Sequence, residues 1–168
     1  LFMENKKFTA WPLYTVEEAD AVRDVLLSNK VNYWTGNEGR NFEREFAVWS
    51  GLQYSVALAN GTLALDVAFK VLNVGKGDEV ISTSRTFIAS ISSIVNAGAM
   101  PVFSDVGLSS QNATPEAIRS VITDKTKAIV CVHLAGWPCE MDEIMAIANE
   151  YDLYVIEDCA QAHGAKYK

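Results

Sequence analysis

Five stretches of this chain carry side chains that could do chemistry, and each lies at or just past the end of an apolar run. Asn60-Gly61-Thr62 follows Ser55–Ala59, and Arg85-Thr86-Phe87 follows Glu79–Thr83. Asp105 follows Met100–Ser104, His133 follows Lys127–Val132, and Asp158 with Gln161 follows Leu153–Ile156. In open parallel sheets, ligands bind outside the carboxyl ends of the strands. Asn60-Gly61-Thr62 at a strand-to-helix junction offers free N–H groups, a helix dipole and a hydroxyl, which suit a phosphate. The same triplet also reads as an ordinary N-cap. Phe87 could be a flat platform for a planar ring or a core aromatic. Asp158 could hold a cationic nitrogen or a metal, or it could cap or pair locally. His133, Cys131 and Cys139 lack the paired CxxC spacing of structural zinc sites, so no metal is expected.

The elements that must position these residues alternate along the chain. Thr15-x-x-Glu18 is a capping box, and Ala19, Val22 and Leu26 predict a helix to about Asn29. Val31–Gly39 reads as a loop carrying Tyr33-Trp34-Thr35-Gly36. Asn41–Trp49 reads as a helix with Phe42, Phe46 and Trp49 on one face, ended by Gly51. Strands are then expected at 55–59, 79–83, 100–104, 127–132 and 153–156. Helices are expected at 62–72, 86–97, from Thr114-Pro115, and at 141–151. Strands this apolar are buried on both faces, so the expectation is an α/β three-layer sandwich with a mainly parallel sheet. Residues 1–54 read as an N-terminal helical arm of the kind that packs on a partner in oligomers, and 55–168 as the sheet domain.

Composition narrows the function. A net charge of −7 and no Lys/Arg-rich run beyond Lys6-Lys7 exclude a nucleic-acid-binding face. No stretch approaches the ~20 apolar residues that span a bilayer. Leu1-Phe2-Met3-Glu4-Asn5 lacks the basic start and apolar core of a signal peptide. Three cysteines without CxxC spacing read as free thiols in a reducing cytoplasm. There is neither a GxxxxGK[ST] loop nor a GxGxxG after the first apolar run.

Taken together, the stretches resemble the fold-type-I pyridoxal-phosphate enzymes, and most closely the DegT-type sugar aminotransferases. The matching segments are Trp34-Thr35-Gly36 with Phe42-Glu43-x-x-Phe46, Ala59-Asn60-Gly61-Thr62-x-Ala64-Leu65 and Gly77-Asp78-Glu79-Val80-Ile81. Further matches are Thr86-Phe87-x-Ala89, Gly98-Ala99-x-Pro101-Val102-Phe103-x-Asp105 and Lys125-Thr126-Lys127-Ala128-Ile129. The last two are Val132-His133-x-x-Gly136-x-Pro138 and Glu157-Asp158-Cys159-Ala160-Gln161. The resemblance runs from about Thr15 to Lys168.

It implies the large-domain fold of aspartate aminotransferase-like enzymes and pyridoxal 5'-phosphate as cofactor. Gly61 and Thr62 would hold its phosphate, Phe87 would stack on its ring, and Asp158 would pair with its protonated ring nitrogen. Gln161 would lie near its phenolic oxygen or the substrate, with Thr35, His133 and His163 on the substrate side. The implied reaction passes an amino group from an amino acid, commonly glutamate, to a nucleotide-linked keto-sugar, in surface polysaccharide or amino-sugar synthesis. The implied assembly is a homodimer with shared active sites. Two departures stand out. Ala135 sits where many relatives carry Tyr, and Lys166 and Lys168 lie too close to Asp158 to be the Schiff-base lysine. That lysine, a phosphate-binding serine and the small domain are therefore expected downstream. The resemblance also admits a PLP-dependent sugar dehydratase with His at the Schiff-base position, or a non-catalytic truncated relative acting as a binding module.

Overall fold

The computed structural model describes residues 12–168. Residues 1–11, the first part of the expected arm and the Lys6-Lys7 pair, lie outside the described residues. The chain divides into two compact units, one ending at Ala57 and the other spanning Leu58–Lys168.

The first unit holds α1 (Val16–Leu27) and α2 (Glu38–Ser50). The expected capping box forms: Thr15 Oγ1 accepts the Glu18 amide, and Glu18 Oε2 accepts the Thr15 amide at 2.6 Å. Phe42, Phe46 and Trp49 stack along one face of α2, with ring centroids 5.6 and 5.3 Å apart. Glu43 of α2 clamps the unit. Its carboxylate accepts the Tyr33 hydroxyl at 3.1 Å and the Ala57 amide at 2.9 Å.

The second unit is a sheet with helices on both faces. In chain order it holds α3 (Gly61–Val71), β1 (Glu79–Thr83), α4 (Ala89–Asn96), β2 (Met100–Ser104) and α5 (Pro115–Ser120). There follow β3 (Thr126–Val132), a 3-10 turn (Leu134–Gly136), α6 (Met141–Glu150) and β4 (Tyr154–Asp158). The strand order is β2-β1-β3-β4, and every pair is parallel. Successive strand residues face opposite ways, so the central strands feed two cores. Val80, Ala128, Val130 and Val132 pack with Leu65 and Phe69 of α3 and Ile94 of α4. Ile81, Ile129 and Cys131 pack with Ile118 of α5 and with Ile144 and Ile147 of α6. Each fully buried Ile or Phe contributes about 1.5–3 kcal/mol by leaving water. The three-layer parallel architecture expected from the apolar runs is therefore present.

Three elements differ from expectation, α2 by starting at Glu38, three residues before the expected Asn41. The run 55–59 is not a strand, because it forms no ladder with any of the four strands, and pairing is what defines a strand. The helix expected from Thr86 begins at Ala89 instead. Thr86 spends its hydroxyl on Ser90 Oγ rather than on a cap, and Ile88 at the N-cap has no oxygen to offer. Gly98 ends α4 as expected. Its φ of 85° suits glycine, and the Ala99 amide returns to the Ile94 carbonyl.

Candidate active site

Because β1, β3 and β4 are parallel, their carboxyl ends and the loops that follow share one edge of the sheet. The N-terminus of α3 opens with Asn60 as N-cap, its Oδ1 accepting the Leu63 amide at 3.0 Å. The N-cap reading of the triplet is thus correct, and it leaves the phosphate reading intact. The Gly61 and Thr62 amides and the Thr62 hydroxyl have no partner among the described residues. A Cβ built on Gly61 would meet nothing within 4 Å. The dipole end of an 11-residue helix, two free donors, a hydroxyl and open approach are what a phosphate group needs.

Helix α4 gathers three of the expected site residues. Phe87 lies two residues before its first residue, two-thirds exposed, with its carbonyl accepting the Ser90 amide at 3.1 Å. Phe87 is therefore no core aromatic. Ser90 Oγ donates to Asp158 Oδ2 at 2.8 Å, while Asp158 Oδ1 accepts the Ala160 amide at 3.2 Å. One turn along α4, Ser93 Oγ donates to the Thr62 carbonyl at 3.4 Å. Both serines are fully buried. A single helix thus ties the phosphate-type end (Thr62), the exposed ring (Phe87) and the carboxylate (Asp158) into one frame. Sequence reasoning missed Ser90 and Ser93. Their signal is two serines three apart inside an apolar helix, Ala89-Ser90-Ile91-Ser92-Ser93-Ile94, where buried hydroxyls must find partners.

The remaining candidates lie elsewhere. Gln161 turns to the 3-10 turn, where its Oε1 accepts the Ala135 amide at 2.9 Å. Its Nε2 donors have no partner among the described residues. That contact supports Ala135, a non-glycine residue at φ 52°. Alternation along β4 sends Glu157 away from Asp158, and His133 meets it there. The buried His133 ring donates from Nε2 to Glu157 Oε2 at 2.9 Å, and Nδ1 accepts the Cys139 amide at 3.1 Å. The thiols of Cys139 and Cys159 and the Glu157 carboxylate push the His133 pKa up. The Cys139 amide aimed at Nδ1 opposes protonation of that nitrogen. The His133 hydrogen bond in turn holds Glu157 below the usual carboxylate range.

His133, Glu157 and Cys159 bring one ligand atom each within 4.8 Å of one another. With Nδ1 occupied by an amide, the proton sits on Nε2, which then has no lone pair for a metal. Cys131, Cys139 and Cys159 are free thiols, the first two buried and the third exposed. Thr35 belongs to the first unit, with its hydroxyl and amide on Asn32 Oδ1 at 3.2 and 3.0 Å. His163 lies exposed in the last loop. Beside Ala135, a cavity of about 590 Å³ is lined by Arg85, Ser110, Gln111, Asn112 and Trp137. Arg85 Nη1 is pinned there to Gln111 Oε1 at 2.7 Å. Among the described residues no helix is long and apolar enough to cross a membrane.

A family model for the DegT/DnrJ/EryC1/StrS aminotransferase family matches residues 12–168. The GDP-perosamine synthase of Escherichia coli O157:H7 is 42% identical over 157 residues, covering 94% of this chain and 43% of the synthase. The solved aminotransferase from Psychrobacter cryohalolentis superposes with a TM-score of 0.94 at 67% identity, covering 96% of this chain and 41% of that one. A chain described as a sugar aminotransferase of Streptococcus pneumoniae, in its PLP form, gives a TM-score of 0.84 at 31% identity, over 91% of this chain and 42% of that one. The chain therefore spans less than half the length of these relatives. Pyridoxal phosphate is the cofactor of the family. The chain belongs to the DegT/DnrJ/EryC1/StrS aminotransferase family.

Proposed function

We propose that the protein carrying this chain is a PLP-dependent aminotransferase acting on a nucleotide-linked keto-sugar, with an amino acid, glutamate by preference, as donor. The observation that carries the reading is the frame around α4, which fixes Thr62, Phe87 and Asp158 together at one sheet edge. When bound, pyridoxal phosphate supplies an electron-withdrawing ring that eases loss of a proton from the carbon bearing the amino group. The chain's own residues do the holding. The Gly61 and Thr62 amides and the Thr62 hydroxyl take the phosphate. Phe87 lies against the ring, and Asp158 accepts the ring N–H. Gln161 offers its free amide hydrogens to the phenolic oxygen or the substrate. The nucleotide-sugar assignment is supported by the name of the perosamine synthase relative. Thr35 and His163 belong to the substrate side on this reading; the expected substrate role of His133 is replaced by bracing of Glu157, because its buried ring has both nitrogens bonded within the protein. Residues 1–54 serve as an arm and 55–168 as part of the cofactor-binding domain of a cytoplasmic homodimer.

The test is Asp158→Asn in the full-length protein. Turnover with a keto-sugar nucleotide and glutamate is expected to fall at least ~100-fold, the order of losing one preorganised electrostatic contact to the reacting group. The far-UV circular dichroism should stay unchanged. A variant that keeps more than half the wild-type rate refutes the role of Asp158.

A further inference from the structure

Asp158 cannot aim itself. It sits at the last position of an edge strand, and a carboxylate there has a freely turning χ2. What it meets is Ser90 Oγ at 2.8 Å, and Ser90 is fully buried in the first turn of α4. Ser90 in turn lies 2.8 Å from Thr86 Oγ1. The direction of these two bonds follows from donor counting. An ionised carboxylate only accepts, so the single Ser90 proton goes to Asp158, and Thr86 must donate to Ser90. The order is Thr86 to Ser90 to Asp158, each donor strengthening the next. The Ala160 amide takes the other carboxylate oxygen at 3.2 Å. With both oxygens held, the plane of the carboxylate is set.

We propose that Ser90, backed by Thr86, is a positioning residue that fixes the Asp158 carboxylate for contact with the N–H of a heteroaromatic ring. This rests on the reading of Asp158 given above. Ser90 itself touches no cofactor atom in this scheme and acts only through Asp158. Ser93 repeats the device one turn on, holding the Thr62 carbonyl. Helix α4 thereby sets the spacing between the ring-nitrogen end and the phosphate end.

The experiment compares two probes on the full-length protein stripped of cofactor: pyridoxal phosphate and its 1-deaza analogue, in which carbon replaces the ring nitrogen. A charge-assisted hydrogen bond is worth about 1.5–3 kcal/mol, or about 10- to 100-fold in affinity. Wild type is expected to prefer pyridoxal phosphate by that factor. Ser90→Ala should cut the preference to about 3-fold or less, by weakening pyridoxal phosphate and leaving the analogue unchanged. Ser90→Thr, which keeps the hydroxyl, should restore it. Equal weakening of both probes in Ser90→Ala, or an undiminished preference, overturns the proposal. If Ser90→Ala does not fold, Thr86→Val carries the test: the preference should drop about 2- to 5-fold, and full retention overturns the relay. A wild type with no preference, matched by Asp158→Asn, takes down the reading of Asp158 itself and the relay with it.

Discussion

Asn60, Gly61 and Thr62 show how one tripeptide serves structure and binding with different atoms. Asn60 gives its side chain to the Leu63 amide and so belongs to the helix. Thr62 gives its hydroxyl to nothing among the described residues and so is free for a ligand. The two roles separate by mutation. Asn60→Ala is expected to lower stability by about 1 kcal/mol, the usual cost of a lost N-cap, seen as a lower urea midpoint. Thr62→Val should leave that midpoint unchanged within error while raising the Kd for pyridoxal phosphate about 10-fold, the loss of one hydrogen bond to a charged group. A shifted midpoint with unchanged affinity in Thr62→Val would place the hydroxyl in the fold instead. Phe87 and Asp158 were legible in sequence because the ends of β1 and β4 are predictable places, whereas Asn60-Gly61-Thr62 follows a run that is no strand and was legible only as a helix start. The contacts between them were not. Nothing in the spacing of Ser90 and Asp158, 68 positions apart, announces a 2.8 Å bond. Nor does it announce that Gln161 spends its carbonyl on Ala135.

Four of the five apolar runs expected as strands found parallel partners, and the exceptions among the elements have separate causes. The box at Thr15 and Glu18 and the stop at Gly98 depend on near neighbours, and both formed. The run 55–59 depends on a neighbouring strand, and none of the four takes it. The joint between strands shows the same logic. Asp78, in the turn before β1, accepts the Gly75 amide at 2.9 Å and Lys127 Nζ of β3 at 3.1 Å. The Gly75 amide first, and Lys127 second, hold its carboxyl below the usual carboxylate range. A carboxyl depressed in the folded state stabilises the protein above its unfolded pKa, near ~4. That contribution is lost as pH falls through the folded value. Asp78→Asn is therefore expected to cost about 0.5–1 kcal/mol at pH 7 and distinctly less at pH 3. Urea unfolding at the two pH values checks this, and an equal cost at both would show that charge is not the cause.

At the scale of the whole molecule, α3 carries more apolar surface than its own unit covers. Leu65 and Phe69 face the sheet and are 8% and 0% exposed. Leu63, Val67 and Val71 form a second stripe at i, i+4 and i+8, exposed at 43%, 42% and 71%. A helix apolar on two faces belongs in an interior, and contiguous apolar surface on a soluble protein is seldom left uncovered. The chain spans 43% of the perosamine synthase it matches, so relatives of this family have further chain with which to cover such a face. Expressed alone, residues 12–168 are expected to bind the dye ANS strongly and to self-associate in sedimentation. Leu63→Lys with Val67→Glu should reduce both signals while leaving the sheet's circular dichroism unchanged, because neither side chain enters the Leu65–Phe69 core. In a full-length protein the same pair should instead cost stability, about 2–5 kcal/mol for charges forced against a covered apolar face. A dye-silent, monodisperse 12–168 segment, or a full-length double variant as stable as wild type, would show that the stripe stands in water by itself.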